Sequence, residues 1–278
     1  MTLTIPKDVS DHLSDANIPL DSIDSIILSH SHTDHLGDPS LYPNTTSLVV
    51  GPTFKTNPTL YPGYPLNSKS LIPQVVLEGR EVIEVVFNTG LEIGGFPALD
   101  FFGDGSFYLL QGPGHTFDHI CALARTSEDK FVFMGGDAAH HNGQFRPTEL
   151  IPLPEFIVPS PFEDHHSQSF CPGSVFESIH PASASGGEYT TMPFYNLSSK
   201  TTASMTDGEA TLAKLEVFDA SADVLLAIAH DISMMEILPF LPAQLNGWEK
   251  TDWKELNKWK FLQDFEKALE LAGNQTKS

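Results

Sequence analysis

The chain has 278 residues, of which 40% are hydrophobic, so it can bury a substantial core in one large or two small domains. Fifteen basic residues stand against 36 acidic ones, which gives a formal net charge of −21 at pH 7. Because this charge repels polyphosphates and anionic membrane surfaces, we expect no nucleic acid and no membrane as partner. It favours a neutral or cationic small molecule as substrate.

We expect no disulfide framework from Cys121 and Cys171, because Cys121 lies in an apolar predicted strand where a small buried side chain is typical. The sequence shows no signal peptide, and its longest apolar run, Val224 to Ala229, is too short to span a bilayer. These features predict a cytoplasmic location. The sequence does not indicate an oligomeric state.

The chain begins with a predicted helix and a predicted strand. Residues 1–20 are amphipathic, and the segment from Pro6 to Leu13 predicts a helix with proline in its first turn. Residues 24–28 form a short apolar run that predicts a buried strand. This strand leads directly into a cluster of residue types that bind metals.

Three histidines and an aspartate follow within six residues, in His30-Ser31-His32-Thr33-Asp34-His35. His30 and His32 have the same parity, so an extended chain end points both side chains the same way, whereas Asp34 and His35 come after the turn has begun. Imidazole suits zinc, iron and nickel, and carboxylate completes a hydrolytic rather than a thiolate structural site. Four such residues exceed what one ion needs, so the pattern predicts a two-metal site.

The next part of the chain is predicted to be a strand and a long loop. Residues 47–51 read as a strand, and residues 52–74 are rich in proline, tyrosine, asparagine and serine. Loops of this length are usually functional or mobile. Two interpretations are open: the loop lines a substrate pocket through Phe54, Tyr61 and Tyr64, or it is merely exposed.

A run of strands is predicted next. Residues 81–87 form the first, and residues 96–102 and 106–111 pair across Gly103-Asp104-Gly105, a strong hairpin signal. Two more strands follow, around Cys121 and from Phe131 onward. This part of the chain is therefore predicted to consist mainly of β-strands.

The last part of the chain contains a predicted insertion and predicted helices. Residues 147–204 are rich in proline, serine and aromatic residues, and they either wall an apolar pocket over the metal face or form a lobe with its own small core. Residues 209–218 predict a helix before the last strand. Residues 252–271 predict a long terminal helix with a core-facing stripe of Trp259, Leu262, Phe265 and Leu269.

From His30 to His35 the sequence matches the HxHxDH signature of the metallo-β-lactamase-fold superfamily. Three downstream segments resemble the rest of that pattern, in family order: the Gly-His loop at 112–116, the strand that ends in an aspartate at 131–137, and the last strand with its histidine at 223–231. The run as a whole is similar to fungal lactonase-like and lactamase-like members.

The resemblance implies an α+β fold, the αββα sandwich of the superfamily, as a single domain over residues 1–278. In the superfamily the signature follows a longer set of N-terminal strands, whereas here it begins at His30 after a predicted helix. We therefore expect the first sheet to be incomplete at the N-terminus, because the chain is either truncated or a pared-down variant.

The resemblance also implies a set of metal ligands. It assigns His30, His32 and His115 to the first metal, Asp34, His35 and His230 to the second, and Asp137 to a bridging position. The candidate catalytic residues are Asp34 and His140. His140 either donates a hydrogen bond to the substrate oxygen or is hydrogen-bonded to a ligand, and His119 is expected behind the ligands.

By resemblance, the function is that of a dinuclear zinc hydrolase with two Zn2+ ions, in which a metal-bridging hydroxide opens a lactone, lactam or (thio)ester. Cyclic esters or amides of secondary metabolites and xenobiotics are the expected substrates. Two alternatives remain open: an oxidoreductase with mononuclear iron, like the persulfide dioxygenases, and an inactive remnant of a truncated fold.

Overall fold

Two β-sheets form the frame of the computed structural model, which describes residues 6–162 and 169–275. The small sheet has three parallel strands in the order β1-β2-β3, with bounds Ser25–Ile27, Ser47–Val50 and Val82–Glu84. The large sheet has six strands in the order β11-β8-β7-β6-β5-β4, and in chain order these are β4 Glu92–Ile93, β5 Phe96–Asp100, β6 Phe107–Gln111, β7 Ile120–Arg125, β8 Phe131–Met134 and β11 Val224–Ala227. A separate antiparallel pair is made of β9 Phe156–Ile157 and β10 Cys171–Pro172.

Seven α-helices accompany the sheets in the part of the chain that the structure describes. They are α1 Val9–Asp15, α2 Thr33–Leu36, α3 Gln74–Leu77, α4 Pro181–Ala184, α5 Met205–Ala220, α6 Trp253–Lys258 and α7 Glu266–Gln275. Short 3-10 segments lie at Leu20–Ser22, Pro39–Leu41, Asn142–Gln144, Gly173–Ile179, Ile232–Glu236, Trp248–Lys250 and Lys260–Phe265. Among the described residues, every helix falls short of the length or the apolar character that a bilayer crossing requires.

Successive strand residues face opposite sides of each sheet, as extended chain requires. In β2, Leu48 and Val50 pack with the side chains of α2 and α3, whereas Val49 packs between the two sheets against Leu109 of β6. The next residue of β6, Leu110, faces the other way and packs in one cluster with α5. The layers therefore run helices, small sheet, large sheet, helix, and the predicted αββα sandwich of the α+β class is confirmed.

The hairpin predicted between β5 and β6 is confirmed. Asp100 accepts hydrogen bonds from the backbone of both turn glycines, at 3.0 Å from Gly103 and 2.9 Å from Gly105. Both glycines have a positive φ, +75° and +72°, which residues with a side chain adopt only at a cost. The two glycines that predict the turn in the sequence are therefore the residues that form it in the structure.

The loop at 52–74 does not present Phe54 to a pocket. Phe54 is buried in the cluster beneath the small sheet, together with Leu60 and Ile72 from the same loop. Tyr61 and Tyr64 are exposed. Apolar burial explains the position of Phe54, because its ring belongs to the same buried cluster as Leu48 and Val50 of β2.

The predicted insertion at 147–204 packs around an apolar core that it shares with the end of the chain. The buried members of this core are Leu153, Ile157, Cys171, Phe176, Phe194, Trp259, Phe261, Leu262 and Phe265. Of the two interpretations that the sequence left open, this arrangement favours a lobe with its own core. Residues 163–168 of the insertion, like 1–5 and 276–278 of the predicted domain, lie outside the described residues, and the single-domain organisation stays a prediction.

The prediction of one continuous terminal helix over residues 252–271 is wrong. α6 ends at Lys258, a 3-10 segment follows, and α7 begins at Glu266. In a regular helix of about 3.6 residues per turn, Trp259 and Phe261 would point to nearly opposite sides. The break and the tighter turn allow both rings to reach the same core, where Leu262 also packs.

A buried ion pair and a main-chain contact connect Arg146, just before the insertion, to α5 and α6. Arg146 donates from Nε to Asp219 Oδ2 at 2.7 Å and from Nη2 to Oδ1 at 2.5 Å. Its Nη1 donates to the carbonyl oxygen of Lys258 at 2.8 Å. Both charged side chains are buried, so the pair joins the ends of α5 and α6 inside the protein.

We predict that Asp219→Ala lowers the free energy of unfolding by about 3–5 kcal/mol, because it leaves the buried Arg146 guanidinium without a counter-charge. Urea denaturation measures this change. Asp223→Ala is the control, since it removes the exposed partner of Lys130 and should change little. An equal loss in both variants would contradict the role given to Asp219.

Candidate metal centre

The end of β1 is fixed to both sheets. Leu28 N–H donates to the carbonyl oxygen of Val49 in β2 at 2.9 Å, and the carbonyl oxygen of Ser29 accepts from Ile120 N–H in β7 at 2.8 Å. His30 follows at once, with 1% of its surface exposed. Its Nδ1 lies 3.2 Å from the hydroxyl of Ser29, so it is held where the two sheets meet.

Helix α2 turns the chain so that the signature faces two directions. His32 keeps an extended backbone (φ −70°, ψ 150°), whereas Asp34 and His35 lie in the single turn of the helix. The His30 and His32 rings stand edge to face with their centroids 4.7 Å apart. These two histidines share one group of donor atoms and Asp34 and His35 share another, as the alternation of the extended chain end leads one to expect.

A close approach of two glycines shapes the loop that carries His115. Gly114 has a φ of +141°, and a Cβ at this position would stand 2.3 Å from the Cα of Gly208 in α5, so only glycine fits. Ser204 N–H donates to Gly114 O at 3.0 Å, and Ala203 N–H donates to His115 O at 3.1 Å. The start of α5 therefore determines where the His115 ring lies.

The Asp137 carboxylate lies among five imidazoles, and its two oxygens face different ones. From Oδ2 the distances to Nε2 are 3.3 Å for His115, 3.3 Å for His140 and 3.7 Å for His30. From Oδ1 they are 3.2 Å for His35 and 3.3 Å for His230.

The described residues contain three sets of side chains that could hold a metal ion, and the donor atoms of each set lie within 4.8 Å of one another. The sets are His30, His32, His115 and Asp137; Asp34, His35 and His230; and Asp137, His140 and His230. The first two contain all seven ligand positions that the sequence suggested. The side chains of Asp34 and His230 are 54% and 41% exposed, so the second set lies at the open side of the cluster.

Several donor atoms at this centre are buried without a hydrogen-bond partner, among them His30 Nε2, His35 Nε2 and Asp137 Oδ1. The last two atoms lie 3.2 Å apart without the alignment of a hydrogen bond. Burial lowers the pKa of His30 to about 2, so its imidazole is neutral and the Nε2 lone pair is available. Unpaired buried polar atoms are costly, and a metal ion would satisfy them, so these residues fit a metal.

Electrostatics keep Asp137 ionised despite its burial. Burial alone would raise the pKa of this carboxyl group, but the His140 and His35 imidazoles beside it outweigh burial and hold the pKa well below its usual range. For His35, burial favours the neutral form, yet the neighbouring Asp137 carboxylate raises its pKa. The centre thus holds a fixed negative charge that attracts a cation.

Two fungal proteins are similar in sequence to this chain. It is 38% identical over 273 residues to the metallo-hydrolase mfmC of Annulohypoxylon moriforme, a match that covers 98% of this chain and 69% of that protein. The chain belongs to the metallo-β-lactamase-fold metal-dependent hydrolases. It is also 38% identical over 273 residues to the gamma-lactamase FDB1 of Fusarium pseudograminearum, covering 95% of this chain and 63% of that protein.

A solved structure shares the fold of this metallo-hydrolase. An N-acyl homoserine lactone hydrolase with N-hexanoyl-L-homoserine bound at its catalytic metal center matches with a TM-score of 0.50 at 14% identity, over 84% of this chain and 66% of that one. The chain therefore spans about two thirds of the length of these relatives. No family model matches the chain.

Behind the candidate ligands of this metallo-hydrolase, His119 supports the Asp137 backbone. Its Nδ1–H donates to the carbonyl oxygen of Gly112 at 2.8 Å, and its Nε2 accepts from Asp137 N–H at 3.0 Å. Burial lowers the pKa of His119 to about 4, so the ring stays neutral. Because both ring nitrogens are engaged by the main chain, His119 has no nitrogen left for a metal.

The adjacent residues His140 and His141 have different environments. The His140 side chain is 30% exposed, its Nε2 faces Asp137, and its ring stacks on that of His230 with centroids 5.4 Å apart. His141 accepts at Nδ1 from Gly143 N–H at 2.9 Å and approaches Asp264 with Nε2 at 3.2 Å. Sequence reasoning missed Asp264, because no local pattern links residues 123 positions apart.

We predict that His119→Ala lowers the free energy of unfolding by about 1–3 kcal/mol for each buried group that it leaves unpaired, the Gly112 carbonyl and the Asp137 N–H. Urea denaturation of the metal-free protein measures this loss. His12→Ala in α1 changes an exposed histidine and should leave stability unchanged. Wild-type stability in His119→Ala would show that these two hydrogen bonds contribute nothing.

Proposed function

We propose that this chain is a dinuclear zinc hydrolase that opens a lactone, lactam or (thio)ester of a neutral or cationic small molecule. One observation carries the proposal: seven candidate metal ligands from four separate parts of the chain form two adjoining groups, and the Asp137 carboxylate faces histidines of both. Their donors are imidazole nitrogens and carboxylate oxygens, which suit zinc in hydrolytic sites.

The two faces of Asp137 support its assignment as the bridging ligand. Oδ2 points toward His30 and His115, whereas Oδ1 points toward His35 and His230. We assign His30, His32 and His115 to the first ion and Asp34, His35 and His230 to the second. A carboxylate that reaches both groups with different oxygens can hold two ions side by side.

Bound zinc supplies Lewis acidity and lowers the pKa of water to about 7. The chain supplies the groups around it. The backbone N–H of His140 donates to Gln144 Oε1 at 2.7 Å, which positions this residue. Its partly exposed ring can donate a hydrogen bond to a substrate oxygen. We assign Asp34 both as a ligand of the second ion and as the second catalytic candidate, because its exposed carboxylate lies at the open side of the cluster beside His230.

The substrate class is inferred from the relatives and from the charge. One relative is named a gamma-lactamase, which supports cyclic amides and esters as substrates. The net charge of −21 disfavours anionic compounds. We propose a secondary metabolite or xenobiotic of this chemical type, with a role in secondary metabolism or detoxification. The cytoplasmic location stays a prediction.

Metal analysis of the purified protein, combined with hydrolysis assays on a panel of γ-lactones and γ-lactams, tests the proposal. Two equivalents of zinc and zinc-dependent ring opening are expected. One equivalent of iron would instead support the oxidoreductase. A protein that binds no metal would be the inactive remnant, and the proposed function would then be wrong.

We predict that His32→Ala abolishes hydrolysis and weakens the first metal site, because it removes one of three imidazoles assigned to that ion. Metal content by mass spectrometry and initial rates measure the two effects. His12→Ala, which removes an exposed histidine that belongs to none of the sets of donor atoms, should retain both metals and full activity. Full activity in His32→Ala would contradict the assignment of His32 as a metal ligand.

For His140→Ala we predict a drop in kcat of roughly 10²-fold, the effect of losing one donor to a developing negative charge. Metal content should stay at the wild-type level. His140→Gln keeps a side-chain N–H and should recover part of the rate. Loss of metal in His140→Ala would instead make His140 a ligand, as the third set of donor atoms permits.

A further inference from the structure

The carboxylate of Asp231 joins three segments of the chain. Oδ2 accepts from Asn142 Nδ2 at 2.7 Å and from Asn257 Nδ2 at 2.9 Å. Oδ1 accepts from Ser233 N–H at 3.1 Å and from the Ser233 hydroxyl. The three partner residues are buried and Asp231 is partly buried, so these bonds are partly shielded from water.

Asp231 lies next to His230, one of the candidate ligands that packing encloses least. The His230 ring is 41% exposed, whereas the rings of His30 and His115 are almost fully enclosed. The loop after β8 carries Asp137, and the loop after β11 carries His230. Main-chain hydrogen bonds link these two loops as far as Ala229 N–H, which donates to Gly136 O at 3.0 Å. Beyond that point, the side-chain bond from Asn142 to Asp231 connects them.

The two asparagines that donate to Asp231 come from different parts of the chain. Asn142 is five residues after Asp137, and its segment also carries His140. Asn257 lies in α6, near the end of the chain. The turn that carries His230 is therefore tied on one side to the Asp137 loop and on the other to the C-terminal segment.

We propose that Asp231 is a positioning residue, which holds the His230 imidazole toward Asp137 and so determines the affinity of the second metal site. The inference rests on the proposed function, since it assumes that His230 is a ligand. It gives α6 a part in metal binding, although no α6 residue belongs to any set of donor atoms.

The pattern of donors requires a carboxylate at this position. All four of its hydrogen bonds come from N–H or O–H groups, which an ionised aspartate accepts with both oxygens. An asparagine would turn an NH2 group toward some of these donors. An NH2 group in place of Oδ1 would face the Ser233 N–H, which cannot be reoriented, and one in place of Oδ2 would require both Asn142 and Asn257 to rotate their amides.

The test compares Asp231→Asn with Asp223→Asn, the same chemical change at an exposed carboxylate that pairs with Lys130. Zinc is titrated into each metal-free protein in competition with a chelator. We expect Asp231→Asn to keep the first equivalent and to bind the second about 10–100-fold more weakly, the usual effect of losing support behind a ligand. Asp223→Asn should bind both equivalents as the wild type does.

Thermal melting of the metal-free proteins distinguishes positioning from general damage. Wild-type affinity for both equivalents in Asp231→Asn would overturn the inference, and so would equal weakening of both equivalents in a folded variant. If Asp231→Asn does not fold, Asn257→Ala, which removes one of the four hydrogen bonds, decides by the same criterion.

The controls separate this inference from the proposed function. A wild-type protein that binds fewer than two equivalents of zinc would contradict the dinuclear proposal itself. A wild-type protein that binds two, beside an Asp231→Asn variant that also binds two with unchanged affinity, would contradict only the role of Asp231.

Discussion

The buried charge of Asp137 is the constraint on which the centre depends. A buried carboxylate is stable only if it is paired, and here the imidazoles around it lie at 3.2 to 3.7 Å. Burial keeps His30 and His115 neutral, so these two rings do not cancel its charge. The site is therefore organised to receive cations, and the fold must hold its members together before any cation binds.

The two sheets meet this requirement by ending their strands at one place. β1 leads into His30, β8 leads into Asp137 and β11 leads into His230, so three regular elements deliver three candidate ligands. His115 comes from a loop instead, and the approach of Gly114 to Gly208 fixes that loop against α5. β8 is paired on both sides, and β1 and β11 are each paired with one neighbouring strand, so all three ligand-bearing ends are held by sheet hydrogen bonds, which suits a site that needs close spacing.

The outer layers of the protein reach the same centre through polar contacts. Arg146 joins α5 and α6, His141 meets Asp264, and Asp231 is bonded to Asn257. Apolar packing of the insertion against the C-terminal segment keeps these groups in place. The half-exposed side of the centre thus depends on residues far along the chain, whereas its buried side depends on the sheets.

Local spacing in the sequence determined the strand that ends in the histidine-rich turn and the glycine hairpin at 103–105, because each of these depends on neighbouring residues. The αββα class followed from the resemblance to a family. The tertiary structure alone decided that His140 faces Asp137 while His141 faces Asp264. It also decided the break of the terminal helix and the bond between Asp231 and Asn257. These features depend on contacts between distant segments, whose partners are chosen by packing and buried polar groups and leave no periodic trace in the sequence.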